Sequence, residues 1–179
     1  MNEINPPKND IDRRFEEKLF ELKSTLPPLG KSIGNSCAAD TLNSIIEVLN
    51  LVDVPNFYFN NLAIPYSGFA HYKGKEGWRG PCGAISGAIA AIGLIMGGEE
   101  KIKDLVVPKV YSKAVRFAKR FEDEFGTVKC EELCGFDLNT DLKQYVKTRA
   151  WDNKCCNFIL FAVENVWKLT KKELRQNWS

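Results

Sequence analysis

The sequence holds six cysteines in 179 residues, yet no CxxC pair occurs in it. That absence counts against a thioredoxin-type dithiol and against the common zinc ribbons. CxxCH is missing too, which excludes covalent haem attachment. His71 is the only histidine, so a Ser/His/Asp set has little to be built around, and there is no glycine-rich phosphate loop. His71 lies in an aromatic stretch and reads as a surface or hydrogen-bonding residue before it reads as a ligand. Charge of one sign is scarce: 25 Lys and Arg against 23 Asp and Glu leave a net charge of +2. This gives no electrostatic case for nucleic acid. The opening residues Met1 to Pro7 lack a basic start followed by an apolar run, so no secretory signal is expected. Long hydrophobic runs are lacking as well. The most apolar stretch, Gly83 to Gly98, is broken by Ser86 and by glycines, and at about 1.5 Å per residue it falls short of a bilayer core of about 30 Å. It reads as a buried helix, with no membrane span and a cytoplasmic location.

What is present is an ordinary globular composition, 44% hydrophobic and 27% charged, with an unusual number of thiols. In a reducing compartment six cysteines are poor candidates for permanent disulfides, so metal binding or redox chemistry becomes the natural reading. A single free cysteine packs well as a small hydrophobe, but that explanation weakens when applied to all six at once.

Residues 1–9 read as a disordered tail and 10–179 as a single domain, an all-α bundle of about five to seven helices. From Asp10 apolar residues fall at Ile11, Phe15, Leu19 and Leu22, with acids in the first turn, until Pro27-Pro28 and Gly30 intervene. A second helix opens at Asn35 or Ser36 and runs to about Leu51, with Cys37 in its first turn. Residues 52–81 read as a long aromatic connection with one short helix near Asn60–Ile64. The central helix starts at Cys82 and ends at Gly97-Gly98. The next is expected from near Glu99, kinked at Pro108, and ended by Gly126. A helical turn at 128–134 carries Cys130 and Cys134, and a last helix is expected from about Asn153 to Gln176.

Cys82 is the most informative position. A thiol in the first turn of a helix faces free backbone N–H groups and the positive end of the dipole, which favours thiolate. Cys82 is therefore the expected nucleophile, and the same argument extends to Cys37. The small residues of the central helix, Gly83 and Gly87 among them, allow another backbone to come close. Both glycines are read as cofactor-binding as well as packing positions. Cys130 and Cys134 are one helical turn apart and share a face. Cys155 and Cys156 diverge by about 100° on a helix, so one of them is an onlooker.

Taken together, Ser36-Cys37-Ala38, Gly80-Pro81-Cys82-Gly83-Ala84-Ile85-Ser86-Gly87, Phe125-Gly126-Thr127-Val128-Lys129-Cys130 and Cys155 resemble the C…GCAxxG…C…C family, named after its cysteines. The resemblance spans roughly residues 33–170 and implies a redox role. Ala162 falls where the family pattern has its alanine if Cys155, not Cys156, is the fourth cysteine. Two departures stand out: an aromatic segment from Gly68 to Arg79 replaces the family's glycine-rich approach, and Cys134 and Cys156 are extra. On this pattern Cys37, Cys82, Cys130 and Cys155 are expected to be metal ligands. An iron–sulfur cluster that transfers electrons to a redox partner protein is the first candidate, and a homodimer is left open. The alternatives are a thiol–disulfide oxidoreductase with Cys82 as nucleophile, or a non-catalytic module that binds a metal or a partner.

Overall fold

A computed structural model describes residues 10–26, 36–51 and 55–178. Helices account for nearly all of their regular structure, with isolated bridges in place of strands among them, as the all-α reading expects. α1 (Asp10–Thr25) buries Ile11, Phe15 and Leu22 along one stripe, while Asp10 and Asp12 sit at the positive end of its dipole. Asp12 is buried and accepts hydrogen bonds from Trp167 Nε1 at 2.7 Å and from Arg175 at 2.6 and 2.9 Å. These bonds tie the first helix to the last. The tail 1–9, the stop at Pro27-Pro28 and the Asn35 cap lie outside the described residues.

α2 (Cys37–Leu49) starts at Ser36, whose hydroxyl accepts the Ala39 N–H at 3.2 Å, and ends on Asn50 in the left-handed conformation. α4 (Gly83–Gly97) is the hub. It packs on both α2 and the last helix, and Ala84, Ala88, Ala91, Ile92 and Ile95 are without exposed surface. Phe117 and Phe121 of α5 (Val107–Phe125) complete this side of the core. No helix among the described residues is long and apolar enough to cross a membrane.

Three segments depart from the sequence reading. The aromatic connection contains a longer helix, α3 (Asn56–Phe69), with Pro65 inside it. Only a narrow strip of it, including Ala63, is buried, so no hydrophobic period marks it. Residues 99–103 are not helical, and Pro108 lies in the first turn of α5, where its missing N–H costs nothing, so it starts that helix and does not kink one. Finally, α6 (Cys130–Cys134) is followed by α7 (Leu142–Lys147), a helix with no sequence signal of its own. The chain then passes through a π-turn, Trp151–Cys155, into α8 (Cys156–Asn177).

Candidate functional site

Each cysteine of the pattern stands at the edge of an element. Cys37 is the first residue of α2, Cys82 the cap of α4, Cys130 the first residue of α6, and Cys155 the last residue of the π-turn ahead of α8. π-turns are uncommon and often mark functional positions.

Backbone contacts bring these edges together. The Cys82 N–H donates to the Val128 carbonyl at 2.8 Å, and the Cys130 N–H donates to the Gly80 carbonyl at 3.2 Å, so the two cysteines flank one antiparallel bridge between Pro81 and Lys129. Ion pairs reinforce that junction: Arg79 binds Glu131 at 3.0 Å, and Lys73 reaches Asp137. Gly80 could carry no side chain, because a Cβ there would stand 2.2 Å from the Phe69 carbonyl oxygen. On the other flank α4 presses against α2. A Cβ at Gly87 would meet the Ala38 carbonyl oxygen at 2.3 Å, and one at Gly83 would meet Ser67 Oγ at 2.8 Å and Cys37 Cβ at 3.3 Å. The space beside both glycines is filled by protein, so they bring Cys82 close to Cys37 by packing.

The result is one interior group of thiols. Cys37 and Cys155 act on one another electrostatically, as do Cys130 and Cys134, and Cys82 is near enough to feel Cys155 and Cys134. All are free thiols, and all but the half-buried Cys37 are buried. Among the described residues no three Cys, His, Asp or Glu side chains close on one ion position, so the sulfurs do not meet at a single point. Cys134, which the family pattern leaves out, belongs to the group. Its i,i+4 relation to Cys130 was the one sequence signal for this. Cys156 turns away and has Asp152 and Asp40 among its charged neighbours.

Two groups that sequence reasoning missed also touch the thiols. Buried Tyr145 of α7 shares a hydrogen bond with Cys155, Oη to Sγ 3.5 Å, and packs edge-on against Phe136. Lys154 donates to the Cys134 carbonyl at 2.9 Å, which holds its ammonium beside that thiol. Neither has a motif of its own, since Tyr145 is brought in by α7 and Lys154 by the π-turn, both between α6 and α8. His71 lies apart, its backbone carbonyl accepting from Asn139 at 3.1 Å.

The electrostatics of the group are uneven. The Cys37 partner, opposed by burial and helped by the Tyr145 hydroxyl, lowers the Cys155 thiol, while Cys155 and burial push Cys37 up. In the second pair the Cys130 thiol is the main influence drawing Cys134 down to about 7, against burial and with help from the Phe136 backbone and Lys154. Cys130 rises in turn, through Cys134 and burial. For Cys82 the sequence argument pointed the wrong way. Burial pushes its thiol up to about 12, although the backbone groups of Ala84 and Ile85 at the helix start oppose the rise.

No curated protein and no solved structure matches the chain. A family pattern does: residues 37–169 match the one described as "Putative redox-active protein (C_GCAxxG_C_C)". The matched span begins at Cys37 and includes every thiol of the interior group, and the chain belongs to this family of redox-active proteins.

Proposed function

We propose that this protein transfers electrons through an iron–sulfur or related metal cluster held by Cys37, Cys82, Cys130 and Cys155. The observation that carries this reading is the thiol group itself: sulfur donors from four separate elements, gathered in the interior with the only histidine elsewhere. The donor set fits the group by its chemistry, because soft thiolates select iron–sulfur clusters, zinc and copper(I). Ligands of a metal centre lie about 2.3 Å from its ions, and among the described residues no three of these side chains close on one ion position, so a bound metal would have to draw the thiols together. Burial that makes a free thiol reluctant to ionise is no obstacle here, since a coordinating metal removes the proton outright.

When bound, such a cluster supplies reversible one-electron chemistry. The chain's own part is to hold and insulate it. α2, α4, α6 and the π-turn each present one thiolate, the apolar core around them excludes water, and the Tyr145 hydroxyl and the Lys154 ammonium stand ready to offset negative charge on sulfur. The Trp151 indole N–H, in the turn that carries Cys155, is a buried donor with no acceptor among the described residues.

A second reading is favoured by the neighbouring thiols of Cys37 and Cys155, with Cys155 held below its ordinary value by Cys37 and by the Tyr145 hydroxyl. It is a dithiol that gives two electrons and two protons to a disulfide acceptor and becomes a disulfide itself. In that case Cys155, and not Cys82, is the attacking sulfur. Protein purified without oxygen separates the two. Visible absorption, iron and acid-labile sulfide are expected, all lost in Cys82→Ala and Cys155→Ala. Colourless protein that takes up neither iron nor sulfide on reconstitution, but reversibly loses two thiols to a mild disulfide, would establish the second reading instead.

A further inference from the structure

The largest feature outside the thiol group is the outward face of α3. Ala63 and Ala70 turn inward, while Phe57 (55% exposed), Tyr58 (60%), Leu62 (61%), Ile64, Tyr66 and Phe69 face solvent. By helical position, at about 100° per residue, Tyr58, Leu62, Tyr66 and Phe69 share one face, and Phe57 and Ile64 lie at its edge. At its end Phe69 stacks with Tyr72 and Trp78, ring centroids 6.1 and 5.4 Å away, and both rings are themselves about half exposed. α3 has no charged residue anywhere along Asn56–Phe69. A soluble protein rarely leaves so continuous an apolar surface uncovered.

We propose that this uncharged aromatic face is the surface through which two copies of the chain pair about a two-fold axis. Two observations select that occupant. The first is area. Eight large side chains, each about half exposed, offer on the order of 100 Å² apiece, hence about 800 Å² per copy, the share of one partner in a standard stable interface. The second is charge. A two-fold contact sets a surface against itself, so charges there would meet their like; α3 brings none. A partner steered by charge would find little net charge here: Lys73 pairs with Asp137 and Arg79 with Glu131, and the exposed Lys75 and Glu76 between Tyr72 and Trp78 are of opposite sign. A helix that lies on an anionic membrane carries Lys and Arg on its polar face, and the reverse side of α3 is packed on α2 and α4. The paired face adjoins the thiol group, since Ser67 of α3 accepts the Ala38 N–H at 3.2 Å beside Cys37.

Sedimentation velocity of the full chain across the micromolar range tests the proposal, whatever the thiols hold. The wild type is expected to sediment as a dimer, and Tyr58→Glu and Leu62→Glu as monomers with unchanged helical circular dichroism. Hydrogen exchange of the unaltered protein gives a check independent of folding defects: α3 peptides should gain protection as concentration rises, and α5 peptides should not. A wild type that stays monomeric throughout overturns the proposal. So does a dimer that survives both substitutions, and so does a monomer that floats with phosphatidylcholine vesicles, which would assign the face to a membrane.

Discussion

A thiol at a helix start feels two opposed influences: the N–H groups and dipole that favour its anion, and the loss of water that disfavours it. At Cys82 burial wins, so in metal-free protein it should be among the last thiols to react with iodoacetamide at neutral pH. Peptide mapping of a labelling time course checks this, and early labelling of Cys82 would mean that the helix start prevails after all. The two extra cysteines separate by the same kind of local accounting. Cys156 is buried away from the group, so on the cluster proposal Cys156→Ala should keep the visible absorption and lose about 1 kcal/mol of stability. Cys134 is bound up with Cys130 and Lys154, so Cys134→Ala should change the spectrum or the cluster yield. Identical spectra for both variants would return Cys134 to a packing role.

Within α4, two glycines of one helix should respond to alanine with opposite signs. At Gly87 a new Cβ would strike the Ala38 backbone at 2.3 Å, and backbone cannot swing aside as a side chain can. Gly87→Ala should therefore cost about 1–3 kcal/mol, which for a chain of this size is a Tm loss of very roughly 2–10 °C. It should also loosen the thiol group by moving α4 off α2. Gly93 has nothing within 4 Å of a built Cβ, so Gly93→Ala should stabilise by about 0.5–1 kcal/mol through reduced freedom of the unfolded chain. Thermal melts of the two variants side by side decide it, and a common sign would refute the close-approach account.

Across the whole molecule, Asp12 closes the chain from first helix to last. Burial acts to raise its carboxyl, but the hydrogen bonds of Trp167 and Arg175 prevail and hold it below the ordinary value. A depressed folded pKa contributes stability that is present above the unfolded value of about 3.9 and disappears as pH falls through the folded one. Asp12→Ala, which strands the Trp167 N–H in the interior, should cost about 1–3 kcal/mol near neutrality. Asp12→Asn should lose less there, and its gap to the wild type should start to close below about pH 4 and vanish only once pH has passed the lower folded value. Urea unfolding at a series of pH values measures both, and a gap between Asn and wild type that is the same at every pH would show that the carboxylate charge is not what matters.

The helical class, the ends of α2 and α4, and the cysteine pattern were legible in the sequence because they are local: a Ser36 cap, glycines after Met96, apolar residues at helical spacing, and thiols at recognisable distances along the chain. α3 was legible only as a short helix near Asn60–Ile64, because a helix that buries only a thin strip leaves no period, and α7, six residues held by Tyr145 alone among buried groups, was not legible at all. The state of the thiols lay further out of reach. Whether a helix-start cysteine is ionised depends on what covers it, and whether Cys134 joins Cys130 or Cys156 joins Cys155 depends on where α6 and the π-turn come to rest. Residue order determined which side chains could take part. Packing between elements distant in sequence decided which did, because desolvation and thiol–thiol contact exist only once those elements meet.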